Sequence, residues 1–197
     1  MKKIKKQSIP QLGGLFHHVV WTITPRPVWI VGTCNEDGTP NLSTITCVSN
    51  TPGPPENIIV SMAAKRTIAN VQRTGEFSVN LCNVEMAALA DYVGSVSGED
   101  CVKDAVHYDF TWGDKARVPV LDASYCVFEC KLSHTHVVGT FQTFFGEVVN
   151  LQLDASLTPP TDSQEAVVKW FKALDIYKTD PLVYHSIQKY YRVGGKI

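Results

Sequence analysis

Seven consecutive residues, Ser61-Met62-Ala63-Ala64-Lys65-Arg66-Thr67, place two cations and two hydroxyls where a strand-like run gives way to a helical one. A helix start offers unpaired backbone N–H groups and the positive end of the helix dipole. Combined with the Lys65 and Arg66 charges and the Thr67 hydroxyl, these groups make a compact site for one phosphate monoester. The plainer reading is an N-cap threonine beside two solvated bases.

A second group lies upstream. Asn41-Leu42-Ser43-Thr44-Ile45-Thr46-Cys47 has strand character but carries small polar groups throughout. Alternation puts Asn41, Ser43, Ile45 and Cys47 on one face and Leu42, Thr44, Thr46 and Val48 on the other, so both faces need hydrogen-bond partners. A planar heteroaromatic ligand with donors and acceptors on its rim supplies them. The alternative is a strand rich in threonine, a good strand former, with Asn41 belonging to the turn.

Two further kinds of chemistry fit poorly. Cys126, Cys130, His134 and His136 share one face of an extended strand, but at ~3.3 Å per residue the outer two are about 33 Å apart and cannot share a metal. No metal site is expected. No G-x-S-x-G elbow occurs, and no motif designates Cys34, Cys47, Cys82 or Cys101 as a nucleophile, so buried structural cysteines are the default and no catalytic residue is assigned.

The elements that would hold these groups are mostly strands. Val28 to Thr33 reads as a buried strand, Asn35-Glu36-Asp37-Gly38 as a hairpin turn with Gly38 at positive φ, and a second strand follows to about Ser49. The prolines of "TPGPP" stop it, and Asn57 to Met62 forms the third strand. Thr67 is placed to cap a helix that turns Ile68 and Val71 inward and ends at Gly75. A fourth strand spans Phe77 to Cys82, and Asn83 caps a helix with Met86, Leu89, Ala90 and Val93 on one face, closed by Gly94. No clear period runs from Ser95 to Val118, apart from a possible strand in "HYDFTW". Two long strands, Tyr125 to His136 and Phe141 to Leu153, join near Gly139. A last helix from Asp162 or Ser163 to about Leu174 puts Val167, Phe171 and Leu174 at core spacing, and an aromatic, irregular tail follows. The sum is a mainly β domain, most simply a small antiparallel barrel with short flanking helices. A doubly wound dinucleotide fold is disfavoured because the sequence has no G-x-G-x-x-G after a strand.

Composition sets the remaining bounds. A chain of 197 residues with 44% hydrophobic content and a formal net charge of -1 suits one domain and indicates neither disorder nor nucleic-acid binding. We read residues 1–197 as a single domain, with 1–14 an N-terminal arm and 162–197 a C-terminal helix and tail. The basic start lacks the apolar run of a signal peptide. Pro25, Arg26 and Pro27 interrupt the apolar stretch from Leu15 to Val31, so no membrane association is expected. Six scattered cysteines fit a reducing cytoplasm rather than a disulfide framework.

Taken in order, "PRPVWIVGTCNEDGTPNLSTITCVS", "PPENIIVSMAAKRTIANVQRTGEFSVNL", "FECKL", "FFGEVVNL" and "PLVYHSIQKYYRVG" resemble the flavin reductase-like family of FMN-binding split barrels, and within it the flavoredoxins. The likeness runs from about Trp21 to Gly194. It implies a six-stranded antiparallel Greek-key split barrel, a homodimer, and one noncovalent FMN per subunit near the subunit interface. The resemblance carries the isoalloxazine strand onto Asn41, Ser43, Thr44, Ile45, Thr46 and Cys47. It carries the ribityl phosphate onto Ser61, Met62, Ala63, Lys65, Arg66 and Thr67, and adds Asn80 and Lys103 as further cofactor contacts. His134, His136 and Thr140 fall where relatives present a histidine. This sequence departs from the family pattern in reading "SGEDCVKDAVHYD", in Thr140 and in Cys47, where an aromatic residue is frequent. The implied activity is NAD(P)H:flavin reductase-type hydride transfer to bound FMN with onward electron transfer. The alternative is a flavoredoxin-like electron carrier that does not use NADH or NADPH directly.

Overall fold

The computed structural model describes residues 26–99, 103–186 and 189–193. The expected N-terminal arm, Cys101 and the last residues of the tail lie outside these. Strand β1 (Arg26–Pro27) is short, and β2 (Trp29–Cys34) and β3 (Pro40–Ile45) form a hairpin. The hairpin turn is closed by Asn35 N–H donating to Thr39 C=O at 2.8 Å, with Gly38 at φ 84° as its type requires. Strands β4 (Val48–Thr51) and β5 (Asn57–Met62), helix α1 (Lys65–Thr74), β6 (Glu76–Leu81) and helix α2 (Ala87–Ser95) follow. Short strands β7 (Phe110–Trp112) and β8 (Pro119–Leu121) precede the long hairpin of β9 (Cys126–Val138) and β10 (Phe141–Leu153). Helix α3 (Gln164–Ala173) leads to β11 (Leu182–Ser186) and β12 (Lys189–Arg192).

The main sheet is antiparallel in the order β3-β2-β6-β9-β10-β5-β4. Strands β3 and β4 lie at its two opposite edges, yet only Thr46 and Cys47 separate them in sequence. A two-residue link reaches about 10 Å, so the two edges must meet and the sheet must curl into a barrel. Ser61 N–H donates to Cys47 C=O at 2.9 Å, in register with the Val48–Val60 pair, so the β4–β5 ladder runs one residue into this link. The sequence predicts a second strand that runs on to about Ser49. In the fold that run is two strands, because the chain changes sheet edge at Thr46, and among the described residues the main sheet has seven strands rather than six.

Alternation along β2 separates two cores. Val31 joins Ile58, Val60, Phe77, Val79, Cys130 and Phe144 inside the barrel, where Ile68 and Val71 of α1 cap it. Ile30 and Val28 face the other way, onto Leu42, Met86, Leu89, Ala90 and Val93 of the α2 layer. Phe77 and Phe144 are fully buried, and truncating either to alanine removes packing worth about 3–5 kcal/mol.

Several local expectations hold and several are corrected. Gly75 ends α1 in the left-handed region, and the Asn83 carboxamide accepts Met86 N–H at 3.1 Å to open the turn before α2. Thr67 is not the cap of α1: the helix starts at Lys65 with Ala64 in the N-cap position and no side-chain cap. Gly94 does not end α2, which runs on to Ser95. Val167, Phe171 and Leu174 are not core residues. Helix α3 is capped by Ser163 but buries none of its residues, and Phe171 is 63% exposed. The tail is more regular than expected, since β11 pairs with both β1 and β12. A register break opposite Phe145 and Gly146 skips Ser133, so Cys126 to His136 do not share one face: Cys130 is buried while His134 and His136 are exposed.

Candidate functional site

Helix α1 begins where β5 leaves the barrel. Its first i→i−4 bond runs from Ile68 N–H to Ala64 C=O at 2.9 Å, so the N–H groups of Lys65, Arg66 and Thr67 precede the helical ladder. With no side-chain cap and no acid in the first turn, the positive end of the dipole is left for an external anion. Opposite this start, strand β3 presents Ser43 and Thr44, and the chain leaving α2 closes the third side from Val93 to Glu99. The enclosed cleft measures about 440 Å³, within the ordinary range for small-molecule sites. Among the described residues that line it, Lys65, Arg66 and Lys103 stand against one carboxylate, that of Glu99, a balance that favours an anion.

Close approach of the walls depends on two small residues. A Cβ on Gly94 would stand 3.0 Å from Thr44 Cβ, and one on Gly98 would stand 2.9 Å from Asn41 Oδ1. Thr44 Oγ1 donates to Ala90 C=O at 2.5 Å, fastening β3 to α2. Lys103 Nζ donates to Leu42 C=O and Val93 C=O, both at 2.8 Å, and bridges the same two walls. Arg66 Nε donates to Gly98 C=O at 3.3 Å, and Lys65 pairs with Glu99 at 3.3 Å at the exposed rim. Beyond Arg66 the cleft adjoins a wider one of about 940 Å³, bounded by the β2–β3 turn and by Tyr108 and Phe110.

The polar groups on both faces of β3 are now accounted for, because a helix covers each face. Leu42 and Thr44 meet α2. Asn41 and Ser43 meet α1, where Asn41 Nδ2 donates to Thr67 Oγ1 at 3.0 Å and the Ser43 and Thr67 hydroxyls are 2.8 Å apart.

The structure gathers Ser43, Thr44, Ala63, Lys65, Arg66, Thr67 and Lys103 around one cleft. Asn41 lines the adjoining one. Ile45 packs against the barrel core. Thr46 and Cys47 line a separate groove of about 270 Å³, where Arg26 Nη1 donates to Cys47 Sγ at 3.3 Å. Three more expected site residues also lie away from the cleft. Met62 is buried in the barrel core, because alternation along β5 turns it inward. Ser61 accepts from Thr143 Oγ1 at 3.1 Å on the neighbouring strand. Asn80 is fully buried and saturated within the protein, donating to Ile30 C=O and Ser78 Oγ at 3.0 Å each and accepting from Leu121 N–H at 2.9 Å. His134, His136 and Thr140 are exposed on the β9–β10 hairpin and line neither cleft.

The wall from Gly94 to Gly98 is not among the site residues expected from sequence. Its signal was the run of small residues, Gly-Ser-Val-Ser-Gly, after a helical pattern. Among the described residues no group of three His, Cys, Asp or Glu side chains could hold a metal ion. Burial pushes the Cys126 thiol up to about 11 and the Cys130 thiol up to about 12, the latter also raised by the Glu129 charge, and raises Cys82 further. These three are inert thiols at neutral pH.

The flavin reductase like domain model matches residues 21–194. The fold is similar to a flavoredoxin from Methanosarcina acetivorans at 25% identity, covering 100% of this chain and 94% of that one with a TM-score of 0.77. It is likewise similar to the flavoredoxin of Desulfovibrio vulgaris (Miyazaki F) at 26% identity, covering 100% and 96% with a TM-score of 0.74. A protein with a split barrel domain from Shewanella frigidimarina superposes with a TM-score of 0.82 at 18% identity, covering 100% and 97%. With a family match spanning nearly its whole length on a curled antiparallel sheet, the chain belongs to the flavin reductase-like family of split barrels.

Proposed function

We propose that this chain is an FMN-dependent oxidoreductase of the NAD(P)H:flavin reductase type. The observation that carries the proposal is the uncapped start of α1, flanked by Lys65 and Arg66, facing strand β3 across a cleft of about 440 Å³. One cluster of N–H donors and cations suits one phosphate, the number FMN carries. Lys65, Arg66 and the opening N–H groups of α1 would hold it. Ser43, Thr44 and the β3 backbone would border the ring, and Lys103 would keep the β3 and α2 walls together. A bound flavin supplies two-electron redox chemistry itself, so a dedicated acid or base in the chain is not required.

The likeness to two flavoredoxins at 25% and 26% identity favours a second reading, an electron-transfer protein that does not use a nicotinamide directly. One experiment separates the two. Protein reconstituted with FMN and freed of excess flavin is mixed anaerobically with NADH and with NADPH. Bleaching of the yellow absorbance by either supports the reductase. No bleaching by either, in a sample that dithionite does reduce, supports the carrier. Protein that emerges colourless overturns both.

We place the protein in the cytoplasm as a homodimer. No helix among the described residues is long and apolar enough to cross a membrane. Val137, Val138 and Phe141 at the β9–β10 tip, with Val168 and Phe171 on α3, are exposed apolar residues that a second subunit would cover.

A further inference from the structure

Thr67 borders the cleft that would take the phosphate, yet the residue as a whole is fully buried. Its hydroxyl is engaged inside the protein, accepting from Asn41 Nδ2 at 3.0 Å and sharing a proton with Ser43 Oγ at 2.8 Å. Asn41 and Ser43 are themselves about nine-tenths buried or more. The network extends behind the cleft. Asn41 Nδ2 also donates to Thr33 Oγ1 at 3.0 Å, and Asn70 Nδ2 donates to Thr33 Oγ1 at 3.1 Å and to Asn35 Oδ1 at 2.9 Å. One set of hydrogen bonds therefore joins β2, β3 and two turns of α1.

We infer that the Thr67 side chain is a positioning group rather than a phosphate ligand: through Asn41 and Ser43 its hydroxyl fixes strand β3, the ring wall, against the start of α1, the phosphate wall. The inference rests on the FMN reading of the cleft. A hydroxyl carries one proton and two lone pairs. With one lone pair taken by Asn41, Thr67 can give its proton to Ser43, and in that polarity the Ser43 proton turns to the cleft as a donor. The spacing of the two walls and the donor offered to the ring then depend on the same side chain. A residue that acts in this way must affect ligands with and without a phosphate alike.

The test is direct binding of FMN and of riboflavin by fluorescence quenching, on wild type, T67V, T67S, T33V and R66A, with thermal melts of each apo protein. T67V should weaken both ligands by a similar factor, about tenfold for the lost hydrogen bonds, and T67S should restore both. R66A should weaken FMN and spare riboflavin. T33V should weaken both ligands by a smaller common factor, and because Thr33 lines neither cleft its effect is transmitted through its partners Asn41 and Asn70. A T67V protein that loses FMN affinity and keeps riboflavin affinity overturns the inference, since that is the signature of a phosphate ligand. So does a T67V protein that binds both normally. If T67V fails to fold, T33V decides, and unchanged binding of both ligands by T33V overturns it. Wild type that binds neither ligand refutes the FMN reading itself before any variant is compared.

Discussion

Glu129 and Thr67 are both polar and fully buried, and each is satisfied from inside the protein. Among the described residues, the hydrogen-bond partners of Glu129 are all uncharged N–H groups. It accepts from the N–H groups of Asp114, Lys115 and Ala116 at 3.2, 2.7 and 2.9 Å and from the amides of Asn150 and Gln152 at 2.7 and 2.9 Å. Burial alone would raise its pKa, but the Gln152, Lys115, Asn150 and Ala116 donors together outweigh it and hold the carboxyl below its ordinary 4.5. A group with a lowered folded-state pKa stabilises the protein above the unfolded-state value, and that contribution is lost as pH falls through the folded value. E129Q turns a donor toward donors and should cost about 2–3 kcal/mol at pH 7. Urea unfolding should show the gap between wild type and E129Q constant above about pH 5 and shrinking below about pH 4.5. A gap independent of pH would mean that folding does not lower the Glu129 pKa and that the cost comes from the amide donor facing donors.

At the scale of elements, the cleft exists because α2 lies close on β3. Gly94 permits that approach: its Cβ would meet Thr44 Cβ at 3.0 Å, and Thr44 cannot easily yield, since its hydroxyl is tied to Ala90 and its backbone is paired with Ile30. In a helix, Gly→Ala normally gains up to about 1 kcal/mol. Here the overlap, typically about 1–3 kcal/mol, should outweigh that gain. G94A is expected to melt lower than wild type, by a net cost on the order of 1 kcal/mol, and to bind FMN more weakly because the wall has shifted. A higher melting temperature would show that α2 is free to move. Helix α3 contrasts with α2. Its apolar residues are spaced like a core face, yet none is buried within the chain, so periodicity identified an apolar face without identifying what covers it.

At the scale of the molecule, the exposed apolar residues at the β9–β10 tip and on α3 lead to the expectation of a dimer. Light scattering should give twice the chain mass at micromolar concentration. Placing aspartate at Val138 and Phe141 should give monomers, with the barrel intact by circular dichroism. Dimers that survive this change would place the interface elsewhere.

The sequence by itself determined the local elements. Asn57–Met62, the Gly38 turn, the Gly75 helix end, the Asn83 cap and the long β9–β10 hairpin all follow from short-range sterics and hydrogen bonding, which a few adjacent residues specify. The ordered motifs also revealed the family over residues 21–194. Tertiary structure decided the remainder. Only closure of the barrel breaks the second strand at Thr46, because that break comes from two distant sheet edges meeting. Only the packing of α1 on β3 turns Thr67 from a cap into a buried partner of Asn41 and Ser43. Asn80 and Met62 likewise keep the residue types of a binding site but are turned inward. Residue type and spacing state which chemistry a side chain can perform, and the direction in which it faces is set by elements far away in sequence.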